Sequence, residues 1–122
     1  MNIAITIFLS IFFLFASSIK TLGWQKFIFE TQLKFFQKYG LNRSIMFLVG
    51  IVEFTGAVLL VLPLVTELAP LWSTLGALLI TGTSVGAIFF HFRFDTWKDA
   101  LPAIVTLVLS SYLWGQYALA VI

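Results

Sequence analysis

The chain reads as an all-α, polytopic membrane protein: a four-transmembrane-helix bundle with a short amphipathic interfacial helix between the first and second spans. Three observations lead there. Of 122 residues, 61% are hydrophobic and 10% charged, with a mean hydropathy of +1.06, far from the balance of a soluble domain. The apolar residues gather into four runs of about 20 residues, the length that crosses a hydrocarbon core. All seven Lys and Arg residues fall in or beside the connections that would share one side of the membrane. The length fits a single domain, residues 1–122, and the four runs leave no room within it for a soluble catalytic domain.

The first run, Ile3–Leu22, has no basic leader and is long, so a retained span is expected rather than a secretory signal. Trp24–Lys38 follows as a helix at the membrane surface. Lys26, Glu30, Lys34 and Lys38 form one polar stripe with Gln37 beside it, and Trp24, Phe27, Ile28 and Phe35 fall on another side. Such a basic amphipathic helix suits an interface with anionic lipid. Lys26, Glu30 and Lys34 also stand at the i,i+4 spacing of helix ion pairs. Tyr39-Gly40-Leu41-Asn42 reads as a turn, with Gly40 stopping the helix. The second span, Ser44–Leu62, is predicted to end at Pro63. The third, Pro70–Phe92, starts on a proline whose missing donor costs nothing there. The fourth, Ala100–Ala120, tolerates Pro102 in its first turn, and Asp99 meets the positive end of its dipole. Trp72, Trp97, Trp114 and Tyr117 stand near span ends, as an aromatic belt does.

Charge placement orients the chain. Lys20, Lys26, Lys34, Lys38 and Arg43 cluster around the first connection, and Arg93 and Lys98 around the third. The segment Pro63 to Ala69 has no basic residue. Basic loops stay in the cytoplasm, so both termini are predicted outside it. The absence of cysteine excludes disulfides, thiolate metal ligands and a dithiol redox cycle. One histidine does not make a metal site or a bis-histidine haem site. No phosphate-binding glycine loop, zinc-protease pattern or nucleophile elbow is present, so no catalytic residue is assigned. The basic residues are too few and too dispersed for nucleic acid. The partner that composition does imply is the lipid bilayer.

Glu53 is the most informative residue, because every neighbour from Ile45 to Leu60 is apolar or small. Counting rise along the helix puts it roughly 14 Å deep, near mid-bilayer. An ionisable group at that depth is costly unless paired or protonated, and such groups often mark function. Gly50, Glu53 and Ala57 share a face with small residues, which turns the acid toward the bundle. Thr83, Ser84 and Ser110 lie near the same level, with Ser10 not far off, so a layer of hydroxyls is expected around it. Lys20, Arg43, His91 and Asp95 form a second layer at the cytoplasmic boundary. Two arrangements of Glu53 follow: an ion pair with Lys20 reaching inward, or a protonated acid donating to a hydroxyl or carbonyl. A buried acid that only fixes helix register is the plain alternative to a ligand or proton role. His91 should face the same way as Thr83 and Ala87, with Lys20, Asp95 and Glu53 as candidate neighbours. It serves either an interfacial hydrogen bond or a ligand. Gly82-xxx-Gly86 matches a helix-packing pattern that acts inside the bundle or at a dimer interface, with packing inside the bundle the first expectation.

Phe15-Ala16-Ser17-Ser18-Ile19-Lys20, Gly50-Ile51-Val52-Glu53-Phe54-Thr55-Gly56-Ala57 and the small-residue third span leading to Ala87-Ile88-Phe89-Phe90-His91 carry a resemblance. In these pieces, and over nearly its whole length, the chain resembles the DoxX-like family of small four-span membrane proteins. The resemblance implies a compact four-helix bundle in the bacterial inner membrane. Some members of the family look like subunits of quinone-linked sulfur oxidation or of other membrane oxidoreductases, and a distant animal relative is similar to a receptor-assembly chaperone. The thiosulfate-oxidising relatives include an additional polypeptide, which this sequence lacks. Fold analogy does not select among these activities.

Three functions stay open. The first is an accessory or redox-associated subunit binding a quinone or lipid-like ligand non-covalently, its head held by Glu53, His91, Lys20, Ser84 and Ser110. The second is a non-enzymatic assembly factor that binds a membrane protein partner or forms a homo-oligomer. The third is a small proton-coupled carrier built on Glu53, although no inverted repeat is evident.

Overall fold

The computed structural model describes residues 3–121, and the side chains of all of these but Tyr117, Ala120 and Val121. Five helices stand among the described residues: α1 (Ile3–Leu22), α2 (Lys26–Lys38), α3 (Arg43–Val65), α4 (Pro70–Phe94) and α5 (Leu101–Val121). No strand accompanies them. α1, α3 and α4 are long and apolar enough to cross a membrane, and α5 is apolar over the shorter stretch Leu101–Gln116. The expected α2 is present and begins at Lys26, where the Gln25 side chain accepts from the Ile28 backbone N–H at 3.1 Å. It ends at Lys38, and the expected stop follows at Gly40, whose φ of +81° lets the chain reverse and the Leu41 N–H return to the Phe36 carbonyl.

Polarity is distributed inside out. Phe8, Ile11, Leu48, Val85, Phe89 and Val108 are exposed, whereas Ser17, Ser73, Ser84, Thr106, Ser110 and Glu53 are buried. That arrangement suits a solvent as apolar as the side chains that face it, with polar groups hydrogen-bonded inside. Helix α3 packs on both α1 and α4, α4 on α5, while α1 and α5 meet more lightly, and α2 rests across α1 and α3. The apolar centre is made by Leu9, Phe13, Ala57, Leu60, Ala77, Ile80 and Leu113.

The closest helix approach differs from the expected one. A Cβ on Gly76 would lie 2.5 Å from the Gly56 carbonyl oxygen, so α3 and α4 touch backbone to backbone at this pair. A Cβ on Gly82 or Gly86 would meet nothing within 4 Å. The pattern at those two glycines is therefore not the packing contact, because it lies off the face that α4 turns to α3. Pro63 does not end α3, which continues to Val65. It removes one donor in the final turns, and the Thr66 N–H closes the end onto Leu62. Lys26, Glu30 and Lys34 lie exposed on α2 and form no ion pair among the described residues, as solvated side chains on a surface commonly do. Trp72 and Trp97 are exposed, but Trp114 turns inward and donates to Thr81 at 3.1 Å. The Tyr117 side chain lies outside the described residues.

Candidate functional site

Glu53 is 5% exposed and faces α1. Lys20 Nζ lies 2.7 Å from its Oε1. Oε1 thus has a charge partner but no aligned hydrogen bond. The reach of Lys20 is explained by Gly50, where a Cβ would come within 3.0 Å of Lys20 Cβ. The missing side chain lets the lysine stem lie against α3, and Glu53 is three residues further on, about 4.5 Å along the axis. Lys20 thus leaves the boundary layer in which it was expected and belongs to the acid.

The rest of that layer divides in two. Arg43 donates to the Thr21 carbonyl at 2.9 Å and stacks over Phe29. Asp95, with a side chain 1% exposed, receives three donors. Lys38 contacts Oδ1, Tyr39 Oη donates to Oδ2, and His91 Nδ1 lies 2.9 Å from Oδ2. Burial opposes ionisation of Asp95, but these hydrogen bonds outweigh it and hold the carboxyl below its usual range. Burial first, then the bond to Asp95, pushes the Tyr39 phenol well above its ordinary value. Two of the three donors come from the end of α2, so Asp95 fastens that helix to α4.

Between the fastened helix and the ion pair lies a cavity of about 390 Å³, lined by Lys20, Gln32, Phe35, Phe36, Tyr39, Leu41, Ile45, Val49, Glu53, Thr83, Gly86, Ala87, Phe90 and His91. An adjoining chamber of about 260 Å³ shares Lys20, Gln32, Phe35, Glu53, Thr83, Ala87 and His91 and extends to Ser84, Asp99 and Thr106. The walls are mainly apolar and aromatic with a few polar groups converging, the usual make-up of a small-molecule site.

Of the sequence-predicted site residues, Glu53, Lys20 and His91 meet at both chambers, and Ser84 lines the smaller one. Ser84 is hydrogen-bonded to Thr106 at 2.7 Å. Ser110 lines neither chamber; its hydroxyl is 2.8 Å from that of Thr81, on the α4–α5 contact. Sequence reasoning missed Gln32 and Tyr39. The one signal for them was their position: with Phe29 and Phe36 they follow the inner face of α2 at helical spacing. Among the described residues no group of His, Asp and Glu could hold a metal ion.

Comparison with known proteins gives one positive result. A family model described as the DoxX-like family matches residues 4–113. No curated protein and no solved structure matches the chain.

Proposed function

The chain belongs to the DoxX-like family, and from that premise we propose that it is a four-span integral membrane protein that binds a quinone or lipid-like amphiphile. It would act as an accessory or redox-associated subunit in the inner membrane, with both termini outside the cytoplasm. The reading is carried by one observation: the cavity of about 390 Å³ has an ion pair, Lys20–Glu53, in a wall that is mainly apolar and aromatic. Those charges can meet a polar head, and the aromatic walls can cover the start of a tail. A ligand that binds only the folded protein raises its unfolding temperature with concentration. Titration of the purified protein with a short-chain quinone and with membrane lipids tests this. A saturable rise supports the reading, and unchanged melting at all concentrations removes it.

A second reading, an assembly factor for a membrane protein partner, is supported by Gly82. That residue is exposed, with open space around it, and small residues facing outward admit close approach of another helix. Crosslinking from position 82 in native membranes tests it, and recovery of uncrosslinked monomer alone counts against it.

A further inference from the structure

We propose that the smaller chamber is an aqueous vestibule, which water enters at Asp99 and through which it reaches the Lys20–Glu53 pair. The inference goes beyond the amphiphile reading and does not rest on it.

The two chambers share their centre and differ in the walls each has to itself. The larger adds chiefly Phe36, Leu41, Ile45, Val49 and Phe90, and the Tyr39 hydroxyl on that side is already given to Asp95. The smaller lies between α1, α4 and α5, where α1 and α5 meet lightly. Beside Phe12, Phe13 and Ala16 of α1 it adds Ser84, Thr106 and Asp99. Asp99 is exposed and stands in the connection just before α5. Lys38 and Tyr39, at the end of α2, touch Asp95 at the start of that connection. The mouth therefore opens at the end of the bundle that carries α2 and the basic side chains. Ser84 and Glu53, on the inner wall, are buried. Between His91 and Thr83 the chamber follows α4 for about 12 Å of helix rise.

The polar atoms of this space decide what fills it. A cavity holds water when it exceeds about 10–15 Å³ and offers a water two to four polar partners; this one measures about 260 Å³. Gln32 Oε1 is buried and lacks a hydrogen-bond partner. The Lys20 ammonium carries three donors, more than its contact with Glu53 Oε1 uses. The Ser84 and Thr106 hydroxyls pair with each other at 2.7 Å and keep lone pairs to spare. Donors and acceptors are both present, and water, which is both, answers them together, whereas an acyl chain answers none. An ion pair at membrane depth is also less costly beside water than in hydrocarbon. Water in the vestibule brings protons within reach of a carboxyl that apolar helices would otherwise isolate.

Because the chain has no cysteine, access can be mapped one thiol at a time, with the full chain in membrane vesicles. The probe is a methanethiosulfonate bearing a quaternary ammonium, which does not cross the bilayer and reacts with thiolates. Ser84→Cys and Ala103→Cys place the thiol on the wall of the smaller chamber, and Val108→Cys places it on the exposed face of α5. Thiolates form in water and not among acyl chains, so both chamber thiols are expected to react at least about tenfold faster than the one at position 108. They are expected to react from whichever side labels Lys98→Cys. Adding Ala103→Phe to Ser84→Cys is expected to abolish the difference, and adding Val49→Phe, which fills only the larger chamber, to leave it unchanged. Reaction at position 84 no faster than at 108, or from the side opposite to Lys98→Cys, overturns the inference. So does a rate that Ala103→Phe does not lower, or that Val49→Phe lowers as much. The thiol at position 103 against that at 108 decides alone if Ser84→Cys does not fold. Amphiphile titration is read separately, so either reading can fail while the other stands.

Discussion

Lys20 on α1 reaches Glu53 on α3, nitrogen to oxygen 2.7 Å apart, across Gly50 of α3, which has no side chain to hold these two helices apart. The pair joins two apolar helices and forms the polar end of the cavity between α2, α3 and α4. Its position ties the α1–α3 contact to the wall of that cavity.

Removing one charge leaves the other buried. Glu53→Leu and Lys20→Met are each expected to destabilise the chain by about 3–5 kcal/mol. The double variant is expected to lose much less, because no uncompensated charge remains. Thermal unfolding in detergent of the four proteins in the cycle measures the coupling. Additive losses would show that the two side chains do not act on each other.

Glycine substitutions separate packing from open space. Gly76→Ala drives a methyl group against the Gly56 carbonyl and is expected to cost about 1–3 kcal/mol by overpacking. Gly82→Ala meets nothing and is expected to be neutral or to stabilise by up to about 1 kcal/mol through helix propensity. The same unfolding assay distinguishes them, and a reversal of order would displace the α3–α4 contact from Gly56 and Gly76.

The Asp95 fastening gives α2 a defined pH range. Asp95 has a lowered folded-state value, so its contribution is present above the ordinary carboxylate pKa of about 3.9 and is lost as pH falls through the folded one. Tyr39 has a raised value, so its contribution is complete below about pH 10 and is lost as pH rises through the folded one. Hydrogen exchange of the α2 amides, corrected for intrinsic rate, is expected to be steady between those limits and faster outside them. Asp95→Asn is expected to speed α2 exchange at neutral pH and remove the acidic limb, and Tyr39→Phe the alkaline one.

Orientation is open to direct labelling because the chain has no cysteine. Glu67→Cys is expected to react with an impermeant maleimide on intact cells, and Lys98→Cys only after permeabilisation. The opposite pattern would invert the topology.

The helices were legible in the sequence because hydropathy writes them residue by residue, and the burial of Glu53 followed from its neighbours alone. What was not legible depends on pairs of elements. Gly82-xxx-Gly86 is visible on one helix, whereas Gly56 and Gly76 matter only once α3 and α4 are set side by side. Tyr39 read as a turn residue, and its role appears only when α4 brings Asp95 to it from 56 residues away. Gln32 is one polar residue on an amphipathic helix until the rotation of α2, fixed by that same contact, turns it toward Glu53. Ser110 stood at the right depth, but its α5 face turns to Thr81 and away from the acid.

The cavity is the centre of this account, and filling it tests the account most directly. Gly86 lines it with free space where a side chain would go, and Gly86→Leu leaves Lys20, Glu53 and Gln32 in place. Wild type and variant, purified from native membranes in mild detergent, are extracted and the bound amphiphiles quantified by mass spectrometry. The expected result is one amphiphile retained in near-stoichiometric amount by wild type and largely absent from a folded Gly86→Leu. Equal retention by both proteins, or none by wild type, would contradict a ligand site at the Lys20–Glu53 pair.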